Sequence, residues 1–89
     1  MIHSMIQVIS INMILELNQL LRDKGLMFQV HLRDACGRQS MWAEALDPHA
    51  FENSGRLFYQ ELEAYFSRHK MGISYAPDRI TFWIAPENK

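Results

Sequence analysis

Apolar residues recur along this chain first with the period of a helix and then with the period of a strand, and the whole sequence runs through that order twice. In "SINMILELNQLLRDKG", Ile14, Leu17 and Leu21 share one helical stripe flanked by Met13 and Leu20, while Glu16, Asn18, Gln19, Arg22 and Asp23 point outward. Ser10 or Asn12 is the expected cap, and Gly25 suits the left-handed position just past the end. The β-branched run "IQVISI" ahead of it reads either as a short strand or as an earlier helical turn.

The period then drops to two. Leu26, Phe28, Val30 and Leu32 alternate with Met27, Gln29, His31 and Arg33, as in a strand with one face buried. In "QSMWAEAL", placing Met41, Ala43 and Ala45 toward the core leaves Trp42 and Glu44 outside; the opposite phase would bury Glu44 without a partner. Pairing Val30 with Met41 and Phe28 with Ala43 keeps core residues opposite core residues. That register predicts a four-residue loop, Asp34 to Gly37, built on a type I turn with Gly37 at positive φ and Asp34 accepting from the loop amides.

"DPHAFENSG" reads as a connection holding at most one helical turn, begun by Asp47 and Pro48. A second helix follows in "GRLFYQELEAYFSRHK", capped by Ser54, with Phe58, Leu62, Tyr65 and Phe66 on one face and Gln60, Glu61, Glu63 and Arg68 on the other. His69 and Lys70 fall in its last turn, and Gly72 is expected to end it. A second hairpin closes the pattern: Ile73 and Tyr75 alternate with Ser74 and Ala76, and Ile80, Phe82 and Ile84 alternate with Thr81 and Trp83, around a turn at Pro77 and Asp78.

The order α-β-β-α-β-β predicts an α+β two-layer sandwich, a four-stranded mainly antiparallel sheet with two helices on one face. The halves are formally alike, as a duplicated unit would be, although their side chains match weakly. Strand order stays open, because either hairpin could lie at the centre.

Composition narrows the function classes. The 89 residues suit one domain, 1–89, with 1–11 set apart as an N-terminal extension, and an apolar fraction of 48% suits a self-standing core. A net charge of −1 gives no general attraction to nucleic acid or to an anionic membrane. The single cysteine, Cys36, cannot form an internal disulfide, which suits a reducing compartment. The opening "MIHSMIQVISIN" lacks the basic start and small-residue cleavage site of a signal peptide, and no run approaches the roughly 18 apolar residues of a membrane span. The expected location is the cytoplasm.

The sheet face away from the helices is the main candidate site. It is expected to carry Met27, Gln29, His31, Arg33, Trp42, Glu44, Ser74, Thr81 and Trp83. Large exposed apolar patches mark interfaces, and buried tryptophan and arginine are their usual anchors. The leading expectation is therefore a non-enzymatic interaction module, a homodimer or a partner of another protein, using Trp42, Trp83, His31, Arg33 and Glu44. A small-ligand site with His31 and Glu44 between aromatic walls fits the same residues. The plainer alternative is that the first dozen residues fold over this face, or that the tryptophans pack on the stems of long polar side chains.

A second candidate is the hairpin tip. It would be a thiol-dependent or anion-binding site with Cys36 as nucleophile, Arg33 and Arg38 as thiolate stabilisers or anion binders and Asp34 orienting them; His69 and Lys70 would end nearby if helix 2 runs back along the sheet. "CGRQS" does not match a Cys-x5-Arg phosphate loop, no general base is placed by spacing, and a small exposed turn explains the same residues. The histidines at 3, 31, 49 and 69 make no metal-ligand spacing, and no cofactor motif is present. An aromatic sheet suggests base stacking, but the charge and the aromatic pattern argue against RNA.

The string "GLMFQVHLRDACGRQSMW", with a leucine-rich helix before it and "ITFWI" after it, resembles a family of small bacterial proteins called RDAC proteins after that tetrapeptide. The resemblance runs from about Met13 onward, and Arg33-Asp34-Ala35-Cys36-Gly37 is its most specific part. It implies a compact bacterial cytosolic domain and no particular mechanism.

Overall fold

The computed structural model describes residues 8–35 and 38–85. Its elements are α1 (Ile11–Asp23), β1 (Phe28–Ala35), β2 (Arg38–Ala45), α2 (Ala50–Arg68), β3 (Ile73–Tyr75) and β4 (Thr81–Ile84). The sheet is antiparallel throughout, in the order β1-β2-β4-β3. The fold is thus the α+β arrangement that the periodicity predicts. Neither hairpin lies at the centre; instead the second strand of each meets the other, Met41 opposite Phe82 and Trp42 opposite Thr81.

One core joins the helices to one sheet face. Ile14, Leu17 and Leu21 of α1 and Phe58, Leu62, Tyr65 and Phe66 of α2 are buried with Phe28, Val30, Met41, Ala43 and Phe82. Phe28 stacks on Phe58 with ring centroids 4.4 Å apart. Tyr65 ties the helices together by donating to the Glu16 carboxylate at 2.7 Å, and burial followed by that hydrogen bond pushes its pKa up to about 12. Ile9 also belongs to this core, and Ser10 accepts the α1 cap hydrogen bond from Met13.

Asn18 overturns its expected outward position. It is buried, donating from Nδ2 to the Val30 carbonyl at 3.0 Å while Oδ1 accepts from the Val30 N–H at 2.8 Å. Those Val30 groups point away from β2, along the outer edge of the sheet, where among the described residues no strand pairs with them. A side-chain amide supplies one acceptor and one donor and so stands in for the missing strand. Gln39 does the same for the incoming chain, donating to the Ile9 carbonyl at 2.9 Å and accepting from the Ile9 N–H at 2.8 Å.

The first hairpin register is displaced by two residues from the expected one. Phe28 pairs with Ala45, Val30 with Ala43 and Leu32 with Met41, and the ladder runs on to Ala35 opposite Arg38. A shift of two leaves every side chain on its predicted face, so alternation could not detect it. The longer ladder takes Asp34 and Ala35 out of the expected four-residue loop and into β1. The expected turn at Cys36 and Gly37 lies outside the described residues. Asp34 is paired in the strand opposite Gln39, whose Nε2 donates to its carboxylate at 3.4 Å.

The second helix starts earlier than expected, at Ala50, so Ser54 and Gly55 lie inside it and Ser54 is not the cap. Asp47 begins it by accepting from the His49 N–H through its carboxylate and from the Ala50 N–H through its carbonyl, both at 3.0 Å. Burial of Ala50 and edge-on packing of Phe51 against Phe28 outweigh the poor helix propensity of Gly55. A Cβ at Gly55 would meet only Phe51, at 3.7 Å. Gly55→Ala should therefore raise the free energy of unfolding by about 0.5–1 kcal/mol in a urea titration. No gain would mean that Phe51 is displaced.

The helix ends differently as well. Lys70, with φ 62°, takes the left-handed position expected of Gly72. Met71 N–H bonds to the Phe66 carbonyl and Lys70 N–H to that of Ser67, each at 2.9 Å, a closing motif that needs the left-handed residue directly after His69. It also returns Met71 to the core. In the second hairpin Arg79 is left-handed too, at φ 61°, and Ile80 leaves the core alternation and is exposed. Asp78 holds that turn by accepting from the N–H groups of Ile80 and Thr81, bonds that keep its carboxyl below the usual range.

Candidate functional site

Among the described residues, the sheet has one covered and one open face. Alternation along β1, β2, β3 and β4 puts Gln29, His31, Arg33, Arg38, Ser40, Trp42, Glu44, Ser74, Thr81 and Trp83 on the side away from α1 and α2. Residues 9 and 10 enter on the helix side, where Ile9 is buried and Ser10 caps α1. Among the described residues, no element packs over the open face. The part of the self-cover expectation that concerns residues 1–7 lies outside the described residues.

Trp42 and Trp83 occupy the two central strands and are 37% and 36% exposed, whereas Met41 and Phe82, their neighbours on the other face, are fully buried. Trp42 lies directly across from His31 on β1 and from Thr81 on β4; Trp83 lies across from Ser74 on β3. The tryptophans are therefore diagonal neighbours on adjacent strands. Diagonal cross-strand positions are within reach of large side chains.

His31 fixes one side of this patch. Its ring stacks on Trp42, with centroids 5.0 Å apart and planes 20° from parallel, and its Nε2 lies 2.7 Å from the Glu44 carboxylate. Stacking and the carboxylate together restrain the indole and imidazole in one arrangement. Arg33 and Arg38 stand exposed toward the hairpin end, with Glu44 exposed at the other. His31, Trp42 and Glu44 thus form one contact group, with Arg33 and Trp83 on the same face.

Of the residues expected to serve a thiol, Arg33 and Arg38 lie diagonally across β1 and β2 on one face near the hairpin tip, and Asp34 lies on the other, the helix side, bonded to Gln39. The His69 ring packs against Tyr65 at 4.7 Å, and among the described residues no hydrogen bond or ion pair joins His69 or Lys70 to Arg33, Asp34 or Arg38. Cys36 itself lies outside the described residues.

One charged cluster was invisible in the pattern. Arg79 sits over the rings of Tyr75 and Tyr59, 4.8 and 5.4 Å from their centroids, while Tyr59 donates to the Arg79 carbonyl at 2.6 Å. Tyr75 donates to the Glu63 carboxylate. Burial raises both phenol pKa values, and for Tyr75 the hydrogen bond to Glu63 adds to it. These contacts lock the β3–β4 turn to α2 and satisfy one another, which is a structural role. The left-handed Arg79 gives no periodic signal by which it could have been found.

Among the described residues there is no group of three or more His, Cys, Asp or Glu side chains able to hold a metal, and no helix long and apolar enough to cross a membrane. What the fold and the open face define is a small α+β sandwich with an aromatic sheet surface. Compared with protein-family models, curated proteins and solved structures, the chain matches none. The resemblance carried by Arg33 to Gly37 therefore rests on the sequence alone.

Proposed function

We propose that this protein is a non-enzymatic interaction module whose working surface is the open sheet face, with Trp42 and Trp83 as anchors and His31, Arg33 and Glu44 around them. The observation that carries this reading is the pair of tryptophans on the central strands with no described element packed over them. Leaving about a third of each large indole in water forgoes favourable burial, and association recovers it. The stack of His31 on Trp42, braced by Glu44, adds preorganisation, which lowers the ordering cost of binding.

Acrylamide quenching and Trp83→Ala test this together. At high dilution the wild-type emission should be red-shifted and readily quenched. Trp83→Ala should lower the free energy of unfolding by only about 1 kcal/mol, well below the 3–5 kcal/mol of a core aromatic, while weakening association. Blue, quencher-resistant emission at that dilution, or a Trp83→Ala chain that is unfolded at room temperature, would place the indole in the core and end this reading.

A further inference from the structure

Building on the reading of the open face as an interaction surface, we infer that its partner is a second copy of this chain, packed sheet to sheet about a twofold axis that runs across the strands at the level of Met41 and Phe82. The surface is self-complementary under that operation. On β2, Arg38 and Glu44 lie three residues to either side of Met41 and on the same open face. A twofold across the strands exchanges the two ends, so each protomer's Arg38 meets the other's Glu44.

The same operation fits the tryptophans. Trp42 lies one residue from Met41 toward the Glu44 end, level with Thr81. Trp83 lies one residue from Phe82 toward the Arg38 end, and continuing the ladder sets it level with Ser40. After the twofold, the partner's Trp42 faces Ser40 and the partner's Trp83 faces Thr81. Each large residue meets a small one, and the indoles alternate as a facing pair of sheets requires. The partner's Arg33 falls over the His31–Trp42 stack, a favourable site for a guanidinium.

Sheet twist does not spoil the match. Facing sheets cross at about 30°, and three residues span about 10 Å, so Arg38 and Glu44 are displaced sideways by about 5 Å, within the span of an arginine side chain. A twofold along the strands instead stacks each end on its own kind and sets Arg38 level with Ala85, just past β4, where no acid lies among the described residues. The net charge of −1 adds little general repulsion between copies. Isologous pairing of this kind is the commonest route to a closed dimer.

Sedimentation equilibrium of the full chain across the micromolar range, with tryptophan emission on the same samples, tests the arrangement. The wild type should be a dimer whose emission shifts red on dilution. Arg38→Glu and Glu44→Arg should each raise the dissociation constant about tenfold or more, and the double reversal should return it to within about threefold of wild type. Ser40→Glu, which sits across from Arg33 in its own chain but fills the seat of the partner's Trp42, should be a folded monomer. A wild-type dimer without rescue by the double reversal, or a Ser40→Glu dimer, overturns this twofold. A strict wild-type monomer with red-shifted emission overturns self-association while leaving the face free for a different protein or a small ligand. A strict monomer with blue emission overturns both this pairing and the interaction surface on which it rests.

Discussion

Asn18→Ala should lower the free energy of unfolding by about 3 kcal/mol, although the deleted group is polar and lies in a helix. Val30 is 1% exposed, and its edge-facing N–H and C=O have the Asn18 side chain as their partner. Alanine leaves a buried donor and a buried acceptor unsatisfied, each worth about 1–3 kcal/mol, and the better helix propensity of alanine offsets less than about 1 kcal/mol of that. Urea unfolding followed by circular dichroism measures the loss. A loss below about 1 kcal/mol would show that water reaches the β1 edge and replaces the amide.

Asn18→Asp separates the two hydrogen bonds. A protonated carboxyl can donate to the Val30 carbonyl and accept from its N–H, as the amide does, whereas a carboxylate sets a second negative oxygen against that carbonyl. Burial and the carbonyl should both raise the folded-state pKa above the unfolded value of about 3.9. The variant should therefore be most stable below that pH and lose stability as pH rises through the folded-state pKa. Stability that instead increases with pH across this range would mean that the carboxylate has left the Val30 site.

Phe58→Ala should cost about 4 kcal/mol. The side chain is fully buried, stacked on Phe28 at 4.4 Å and edge-on to Tyr59 at 5.0 Å, so it links α2 to β1 and to the aromatic group at the β3–β4 turn. Against a total of about 5–15 kcal/mol for a domain, that loss removes from roughly a quarter to four-fifths of the stability. Phe58→Leu keeps most of the volume and should cost under about 1.5 kcal/mol. The midpoint of urea unfolding, at constant slope, reads both. Near-equal losses for alanine and leucine would mean that ring stacking, rather than filled volume, holds this part of the core.

Which side chains face the core was largely legible along the chain. Period two in β1 and β2 assigns Phe28, Val30, Met41 and Ala43 inward and His31, Trp42 and Glu44 outward, because a pleated strand alternates whatever it pairs with. The candidate face follows from that phase alone. Three of the misreadings share one origin: Ile80, Ser54 and Gly72 each carry a local signal that a neighbouring contact outweighs. Arg79 turns Ile80 outward, Phe51 draws Gly55 and Ser54 into α2, and Met71 returning to the core forces Lys70 into the left-handed region.

The sequence by itself determined the order of elements, the face that most apolar residues take, and the two tryptophans left on the side away from the helices. These depend on periodicity, a property of each segment taken singly. Only the tertiary structure decided the strand order, the register of the first hairpin and the burial of Asn18. Register shifts by two are silent in an alternating pattern, strand order depends on which hairpin edges meet, and Asn18 is buried because it bonds the edge of β1, which has no strand partner among the described residues. Each is a relation between segments distant in the chain, and the hydrogen bonds that settle it form only once those segments are packed together.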